Sequence, residues 1–526
     1  MPSITTHASY DDVPYEAGLS PRTHPQTAAV IGQLFGLQPA AVASARVLEI
    51  GCGPGNNLLP MAYSLPGASF VGIDLSARHI EAAAESAARL GLRNARFLEA
   101  DIRDYVPDQA FDYMICHGVF SWVPPETRTA ILETCRRALS PQGIAYLSYN
   151  AMPGWHVRGA FREMLRAHAR FFPTPRERVE QARAFASFLV DSTSQLTSGS
   201  SYNAAYHTML QEELSIIQRF PDFYVMHEHL ADDNHPLYFL DALDEVSAHG
   251  LRYLGDANFS TMLTENLPRD VAQKLDAIAP TRELIEQYRD FVVDRHFRES
   301  LLVRDDVPLD GQLDTRAVRH LAARAVLTTT QEGSWNIPQA AGLHRRVESP
   351  LVVAILEALA DAMPRSLTFD ELQSTLASPA WPAGLAVEDR ADHLAAVLLS
   401  LFASDAVELR CWEPLVARNV GERPRVFQPA AVLRTELGVP SPHHTLLGFD
   451  SATLWLLPYA DGTRTVAELA DILNEQVEQG VVSVERADAA NGPSTSLTED
   501  VVTDALEQLR RAGMLEAGPP SPAVPQ

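Results

Sequence analysis

Short apolar runs alternate along the first 150 positions with longer stretches in which apolar residues recur every three or four places. Val47–Ile50, Phe70–Asp74, Ala95–Asp101, Phe111–His117 and Ile144–Asn150 read as buried strands, with β-branched and aromatic residues throughout. Between them the period is helical. Ser76 stands at an N-cap position, the face Ile80, Ala83, Ala84, Ala87 and Leu90 follows, and Gly91 closes the helix; Pro125–Leu139 is another. Ahead of the first strand, Thr23-x-x-Gln26 with Pro25 reads as a capping box that opens a helix through Leu34, ended by Gly36. Strand and helix in alternation predict a doubly wound α/β domain with a mostly parallel sheet.

After Asn150 the pattern changes. Val157–Phe171, Pro175–Leu189 and Tyr202–Ile217 read as successive helices, an insertion over about 160–235. Leu251–Gly255 and His296–Val303 then supply two further strands, with a helix over Thr281–Val293 between them. Residues 306–526 hold a diverged repeat. Each copy has a capped acidic helix (Thr368-x-x-Glu371, Thr465-x-x-Glu468), a longer helix (Glu388–Phe402, Asp500–Ala512) and a short β-element (Val407–Cys411, Met514–Glu516). This order predicts two small, mostly helical, winged-helix-like modules, 306–435 and 436–526, the second with a loop at 490–498 and a proline-rich tail from Gly518.

The stretch with the strongest chemical signal is RVLEIGCGPGNNLL, Arg46–Leu59. A strand runs into Gly51, Gly53 and Gly55 and then into a helix, the arrangement that builds a nucleotide-type site at the carboxyl end of a first strand. Asn56 stands where a dinucleotide fold has its last glycine, and Pro54 removes a donor that a pyrophosphate would need. Asp74 ends the second strand 19 residues after Gly55, and Asp101 ends the third. Here the chain resembles the class I S-adenosylmethionine (SAM) methyltransferases, whose first strand carries E-x-G-x-G-x-G and whose second and third strands end in acids. The resemblance implies a Rossmann-like seven-stranded sheet with its last strand antiparallel. It implies SAM as cofactor, S-adenosylhomocysteine as product, and Glu49, Gly51, Gly53, Gly55, Asn57, Asp74, Leu75, Asp101, Ile102 and His117 as the cofactor-binding set. It bounds the catalytic domain at 1–305.

HGVFSWVP (117–124), YNAMPGWH (149–156), FYVMHEHL (223–230), HGLRYLGDA (249–257) and DFVVDRHFRESLL (290–302) resemble bacterial methyltransferases with a methyltransferase regulatory domain. That family includes protein-lysine methyltransferases of rickettsial type, so the resemblance implies an acceptor nitrogen and points toward lysine.

Charge narrows the acceptor. A net charge of −25 argues against a general nucleic-acid binder and suits a basic protein partner. The acidic helices FDELQSTL and VAELADIL lack the Arg and Lys of a DNA-reading helix, so the C-terminal modules are expected to contact protein or to form a homodimer. CHGVF stands where amide- and base-methylating enzymes carry N-P-P-Y, which also disfavours DNA. None of the four cysteines forms C-x-x-C and no apolar run reaches 18 residues, so a cytoplasmic protein without disulfides, zinc or a membrane span is expected. HEHLADDNH is not HEXXH, and no metal is expected there.

A lysine acceptor must lose a proton before attack, which calls for a base or a dry channel. His117 has the intrinsic pKa for a base and could equally be structural. Tyr149 and His156 are the other catalytic candidates, with Asn150 and Trp155 lining the channel and Phe120 and Trp122 walling it; Thr23 and His24 are further candidates near the cofactor. Two other readings fit the same residues: a small-molecule O- or N-methyltransferase, and a non-catalytic SAM-binding regulator or scaffold.

Overall fold

The computed structural model describes residues 18–309, 311–326, 334–338, 344–482 and 495–517. Tyr10, Asp11, Asp12 and Tyr15 of the leading segment, most of the 490–498 loop and the tail from Gly518 lie outside the described residues. Seven strands form one sheet: β1 (Arg46–Ile50), β2 (Ser69–Asp74), β3 (Ala95–Glu99), β4 (Phe111–Cys116), β5 (Leu139–Asn150), β6 (Leu251–Asp256) and β7 (Phe297–Arg304). Their order is β3-β2-β1-β4-β5-β7-β6. β7 alone runs against its neighbours, with Ala145 opposite Leu302 and Asn150 opposite Phe297. Every expected strand is present. β5 starts five residues before the expected Ile144, because Leu139 already pairs with Phe111 before the register shifts.

α1 (Pro25–Leu34) opens differently from the capping box. His24 is the N-cap, and its Nδ1 accepts from Gln26 N at 3.1 Å. Thr23 sits in a preceding 3₁₀ turn and turns its hydroxyl elsewhere. Tertiary packing overrides the local motif: His24 stacks on Trp412, ring centroids 5.3 Å apart, and Thr23 is held at the loop after β1. α2 (Leu58–Ser64), α3 (Ala77–Arg89, capped by Ser76) and α4 (Pro125–Ala138) cover the sheet as expected.

The helical insertion begins directly after β5 as α5 (Gly154–Ala169), α6 (Pro175–Ser194) and α7 (Ser201–Arg219). It has its own core of Phe161, Leu165, Val179, Ala182, Leu210, Ile217 and Val225. One face of α5 ties down the segment that closes the insertion. Arg162 donates to Ala231 O, and Arg166 Nη2 bonds Asp232 Oδ1 at 2.8 Å. His227-Glu228-His229 forms a π-helical turn in this unit. Among the described residues no group of three or more His, Cys, Asp or Glu is placed to hold a metal.

α8 (Phe239–Ala248) leads into β6, and α9 (Arg269–Ile278) and α10 (Arg282–Val293) into β7. Arg298 of β7 is fully buried beneath the sheet. It bonds Asp290 (2.7 Å), Asp256 (2.8 Å) and Glu286 (2.9 Å), and its guanidinium lies 3.9 Å over the Phe239 ring. This network fixes α10 to β6 and β7, and so fixes the residues that β7 turns to its other face.

The first C-terminal module shares one continuous core with the sheet: Leu356, Leu394, Leu398 and Leu409 join Ile31, Val47 and Tyr146 in a single cluster. Its three-stranded sheet is Leu367–Thr368, Ala322–Ala325 and Val407–Arg410. The second module has a separate core. Residues 416–435, expected in the first module, pair with the second: Val416 with Glu516, Val426 with Leu515 and Arg425 with Asp461. That pairing is long-range and leaves no local sequence signal. Both Thr368 and Thr465 form the expected capping boxes.

Replacing Arg298 with Ala leaves Asp256, Glu286 and Asp290 buried with their main cation gone. Destabilisation of about 3–5 kcal/mol is expected, read as a lowered urea midpoint of the catalytic domain.

Candidate active site

The loop after β1 is shaped by its glycines. Gly51 has φ +71°, and a Cβ there would lie 2.5 Å from Val119 Cγ2. Gly55 has φ +81° and packs against Leu59 and Ala83 so closely that a Cβ would meet both within 3.2 Å. Side chains at these positions would push the loop off the strand ends. Gly51 N and Cys52 N both donate to Ile73 O, and Gly53 N donates to Asp74 Oδ2 at 2.9 Å, so Asp74 holds the loop as well as facing the cleft. Asp74 Oδ1 also accepts from Ser76 N, and His79 Nδ1 lies 3.4 Å away.

Glu49 is 3% exposed. Its Oε1 accepts from Asn57 Nδ2 at 2.7 Å, whereas Oε2 has no partner in the protein. Burial, offset by that bond and reinforced by nearby Asp74, pushes its carboxyl up to about 8. Asn57 is likewise buried, and its Oδ1 faces Ser20 N (3.2 Å), Thr23 Oγ1 (2.9 Å) and His444 Nε2 (3.1 Å). Its amide is therefore committed to the protein, where it holds Glu49. Leu75 is half exposed, Ile102 is buried beside Ile50 and Ile73, and Arg103 engages the Asp101 carboxylate.

The structure brings His117 to a second polar chain. His117 Nδ1 lies 2.9 Å from Tyr146 OH, Tyr146 OH donates to Glu299 Oε1 at 2.8 Å, and Arg22 Nη1 pairs with Glu299 Oε2 at 3.1 Å. Because the phenol hydrogen goes to the carboxylate, His117 must donate from Nδ1–H, which leaves the lone pair on Nε2. Burial pushes this imidazole down to about 4, so it stays neutral across physiological pH. The Phe297 ring stands edge-on to it, centroids 6.0 Å apart.

Tyr149 does not join this group. It is 2% exposed on the opposite face of β5, packed with Leu147 and Leu302 above Arg298, and burial raises its phenol well above the ordinary value. Side chains alternate along a strand, so Tyr146 and Tyr149, three apart, point to opposite faces. The same rule divides β7: Arg298 goes to the Tyr149 side, Glu299 to the Tyr146 side. Tyr146, Glu299 and Arg22 were missed in the sequence. Alternation from buried Leu147 could have selected Tyr146; Arg22 and Glu299 are 277 residues apart and carry no local signal. His156 is exposed on α5, its Nε2 2.9 Å from Tyr238 OH, and belongs to the rim.

The end of β5 is closed by the segment leaving the insertion. Asn150 N donates to Ser121 Oγ (2.8 Å), Asn150 Nδ2 to Asn234 Oδ1 (2.8 Å) and His235 N to Ser121 O (2.7 Å). Trp122 meets Trp155 edge to face at 5.8 Å, with the Arg158 guanidinium 5.6 Å from the Trp155 ring. The segment at this mouth also carries Asp232, paired with Arg166 at 2.8 Å, and Asp233, 3.6 Å from His235 Nε2.

Three family models match the chain: "methyltransferase domain" over 47–143, "predicted methyltransferase regulatory domain" over 221–304, and "PKMT, C-terminal winged helix domain" over 422–514. Two proteins of Rickettsia prowazekii with no assigned activity are each 36% identical. One matches over 319 residues, 60% of this chain and 56% of its own length; the other over 251 residues, 48% of this chain and 98% of its own length. The chain thus spans little more than half of the first relative. The solved structure of PKMT2 from Rickettsia typhi in complex with AdoHcy superposes with a TM-score of 0.81 at 26% identity, covering 95% of this chain and 100% of that one.

The residues present fit SAM. A buried carboxylate oxygen without a partner suits its ammonium, and a glycine cradle without phosphate-binding donors suits a nucleoside bearing no phosphate. Binding a cation beside a carboxyl that titrates near 8 must expel its proton. SAM binding at pH 7 should therefore release about one proton, and affinity should rise with pH to a maximum near pH 8 and fall above it as the ligand's ammonium loses its proton. Calorimetry in buffers of different ionisation enthalpy measures this; Glu49→Gln should bind more weakly and release none. With the glycine loop and strand-end acids in place, and a Rickettsia prowazekii relative matched over 98% of that relative's length, the chain belongs to the class I SAM-dependent methyltransferases that carry a methyltransferase regulatory domain.

Proposed function

We propose that the protein transfers the methyl group of SAM to the Nζ of a lysine in a protein acceptor. The observation that carries this reading is the acceptor side of the cleft, where His117, held in one tautomer, stands among the rings of Tyr146 and Phe297. An ammonium group is drawn to aromatic rings. Outward from the mouth, Tyr238, Phe291 and Tyr288 form a strip of ring contacts, with Phe291 49% and Val292 52% exposed. Such a surface suits the apolar residues that flank a lysine in a polypeptide better than a small metabolite. The likeness to PKMT2 of Rickettsia typhi supports the same acceptor.

When bound, SAM supplies a methyl group already activated on a sulfonium. Glu49 would hold its ammonium and Asp74 its ribose hydroxyls, with Leu75, Asp101 and Ile102 at the adenine end. Entry into the half-buried mouth strips water from the lysine and lowers its pKa, so its proton leaves to solvent. His117 Nε2 would accept a hydrogen bond from the neutral amine and so orient its nitrogen lone pair. Methyl transfer there, with the N–C bond made as the C–S bond of SAM breaks, would leave the positive charge on the methylated amine. Tyr146 and Glu299 keep His117 in the required tautomer.

The C-terminal modules are read as protein-contact units. Asp370, Glu371, Glu468, Asp471 and Glu475 occupy the helices that would otherwise face phosphates. A homodimer through these modules belongs to the same reading, supported by exposed Val387, Leu415 and Val481. The buried free thiols of Cys52, Cys116 and Cys135 suit the reducing cytoplasm.

Methyl-labelled SAM incubated with the protein and a cell lysate tests the acceptor, with Asp74→Ala as control. Label is expected in acid-precipitable protein, stable to hot acid and base and recovered as methyl-lysine. Label confined to small molecules would move the assignment to a metabolite; bound SAM without label would favour the regulator. With the acceptor in hand, His117→Ala should lower kcat about 100-fold, and Tyr146→Phe about tenfold with SAM affinity unchanged.

A further inference from the structure

The second C-terminal module reaches the glycine loop through the tip of a hairpin. Strands Val439–Pro440 and Leu446–Leu447 pair antiparallel. The turn between them is tied by Ser441, whose N–H donates to Thr445 O at 2.8 Å and whose carbonyl accepts from His444 N at 3.0 Å. His444 has φ +58°, a left-handed conformation uncommon for a residue with a Cβ. This backbone carries its imidazole, 3% exposed, to within 3.1 Å of Asn57 Oδ1 and 3.5 Å of Thr23 Oγ1.

The atom that His444 meets is identified by its other partner. Ser20 N also points at it from 3.2 Å, and a backbone N–H can only donate, so the atom is the amide oxygen. His444 therefore donates from Nε2–H. With the oxygen engaged, Asn57 Nδ2 is turned to Glu49 Oε1 at 2.7 Å, and Glu49 Oε2 is the oxygen left without a partner. Four side chains and one backbone amide thus join a C-terminal hairpin to the acid of the cofactor loop.

Other contacts dock the module without continuing to Glu49. Arg425 Nη2 donates to Tyr63 OH at 3.2 Å, Phe427 meets Tyr63 edge-on at 5.3 Å, and Leu433 packs with Leu59 and Ala87.

We propose that His444 is a positioning residue for the SAM site: docking of the second C-terminal module aligns Asn57, and Asn57 holds Glu49 with its free oxygen toward the ligand's ammonium. Module docking and cofactor binding form one coupled equilibrium, and the coupling is reciprocal. Whatever shifts the module changes SAM affinity, and SAM tightens the module. The proposal rests on SAM as the loop's ligand and is independent of the acceptor.

The test uses the full chain with S-adenosylhomocysteine, which keeps the ammonium, as probe. By calorimetry His444→Ala should weaken binding about tenfold, and His444→Gln, which retains an N–H donor, should restore most of it. Arg425→Ala should stay within about twofold, and in a Glu49→Gln background the His444→Ala loss should vanish. In the unmutated protein, saturating ligand should slow hydrogen exchange in residues 441–446 as well as in 51–59. Purely additive losses, an equal loss in Arg425→Ala, or an unchanged hairpin beside a protected loop would each overturn the proposal.

Discussion

A carboxyl group buried with one oxygen unpaired is costly in any fold, and at Glu49 burial keeps it protonated up to about pH 8. β1 supplies the position, directly before the glycine turn. Asn57 occupies one oxygen, and the other is left buried without a partner. Much of the surrounding structure serves to hold Asn57: Ser20 N, the Thr23 hydroxyl and His444 of the hairpin all meet its amide oxygen, and His24 packs against His444.

The acceptor side follows from a second constraint, the alternation of side chains across the antiparallel β5–β7 ladder. Arg298 and Tyr149 go to one face, where buried ion pairs lock α10 under the sheet. Tyr146, Phe297 and Glu299 go to the other, where they meet His117. A one-residue slip would exchange the two sets and dismantle both. The register that makes the domain stable is therefore also the register that sets the tautomer of His117.

The insertion and the C-terminal modules attach in different ways. α5 pins residues 231–235 beside Ser121 and Asn150, so the insertion closes the end of β5. The first module shares the main hydrophobic core with the sheet. The second has its own core and docks through a small apolar cluster and polar contacts, an interface of the kind that a few kilocalories can shift.

Elements whose information is local were legible in the chain: seven strands, the capped helices, the glycine turn and the strand-end acids, because hydrophobic period and turn chemistry are set by neighbours along the sequence. Glu49, Asp74 and His117 were legible for the same reason, each lying at the end of a strand. Long-range pairing alone decided that Tyr146 and Glu299, not Tyr149, stand beside His117, that His24 caps α1 in place of Thr23, and that residues 416–435 pair with the second module. It also decided that a histidine at 444 reaches an asparagine at 57. Such contacts depend on strand register and on the docking of separate cores, and no window of sequence contains both partners.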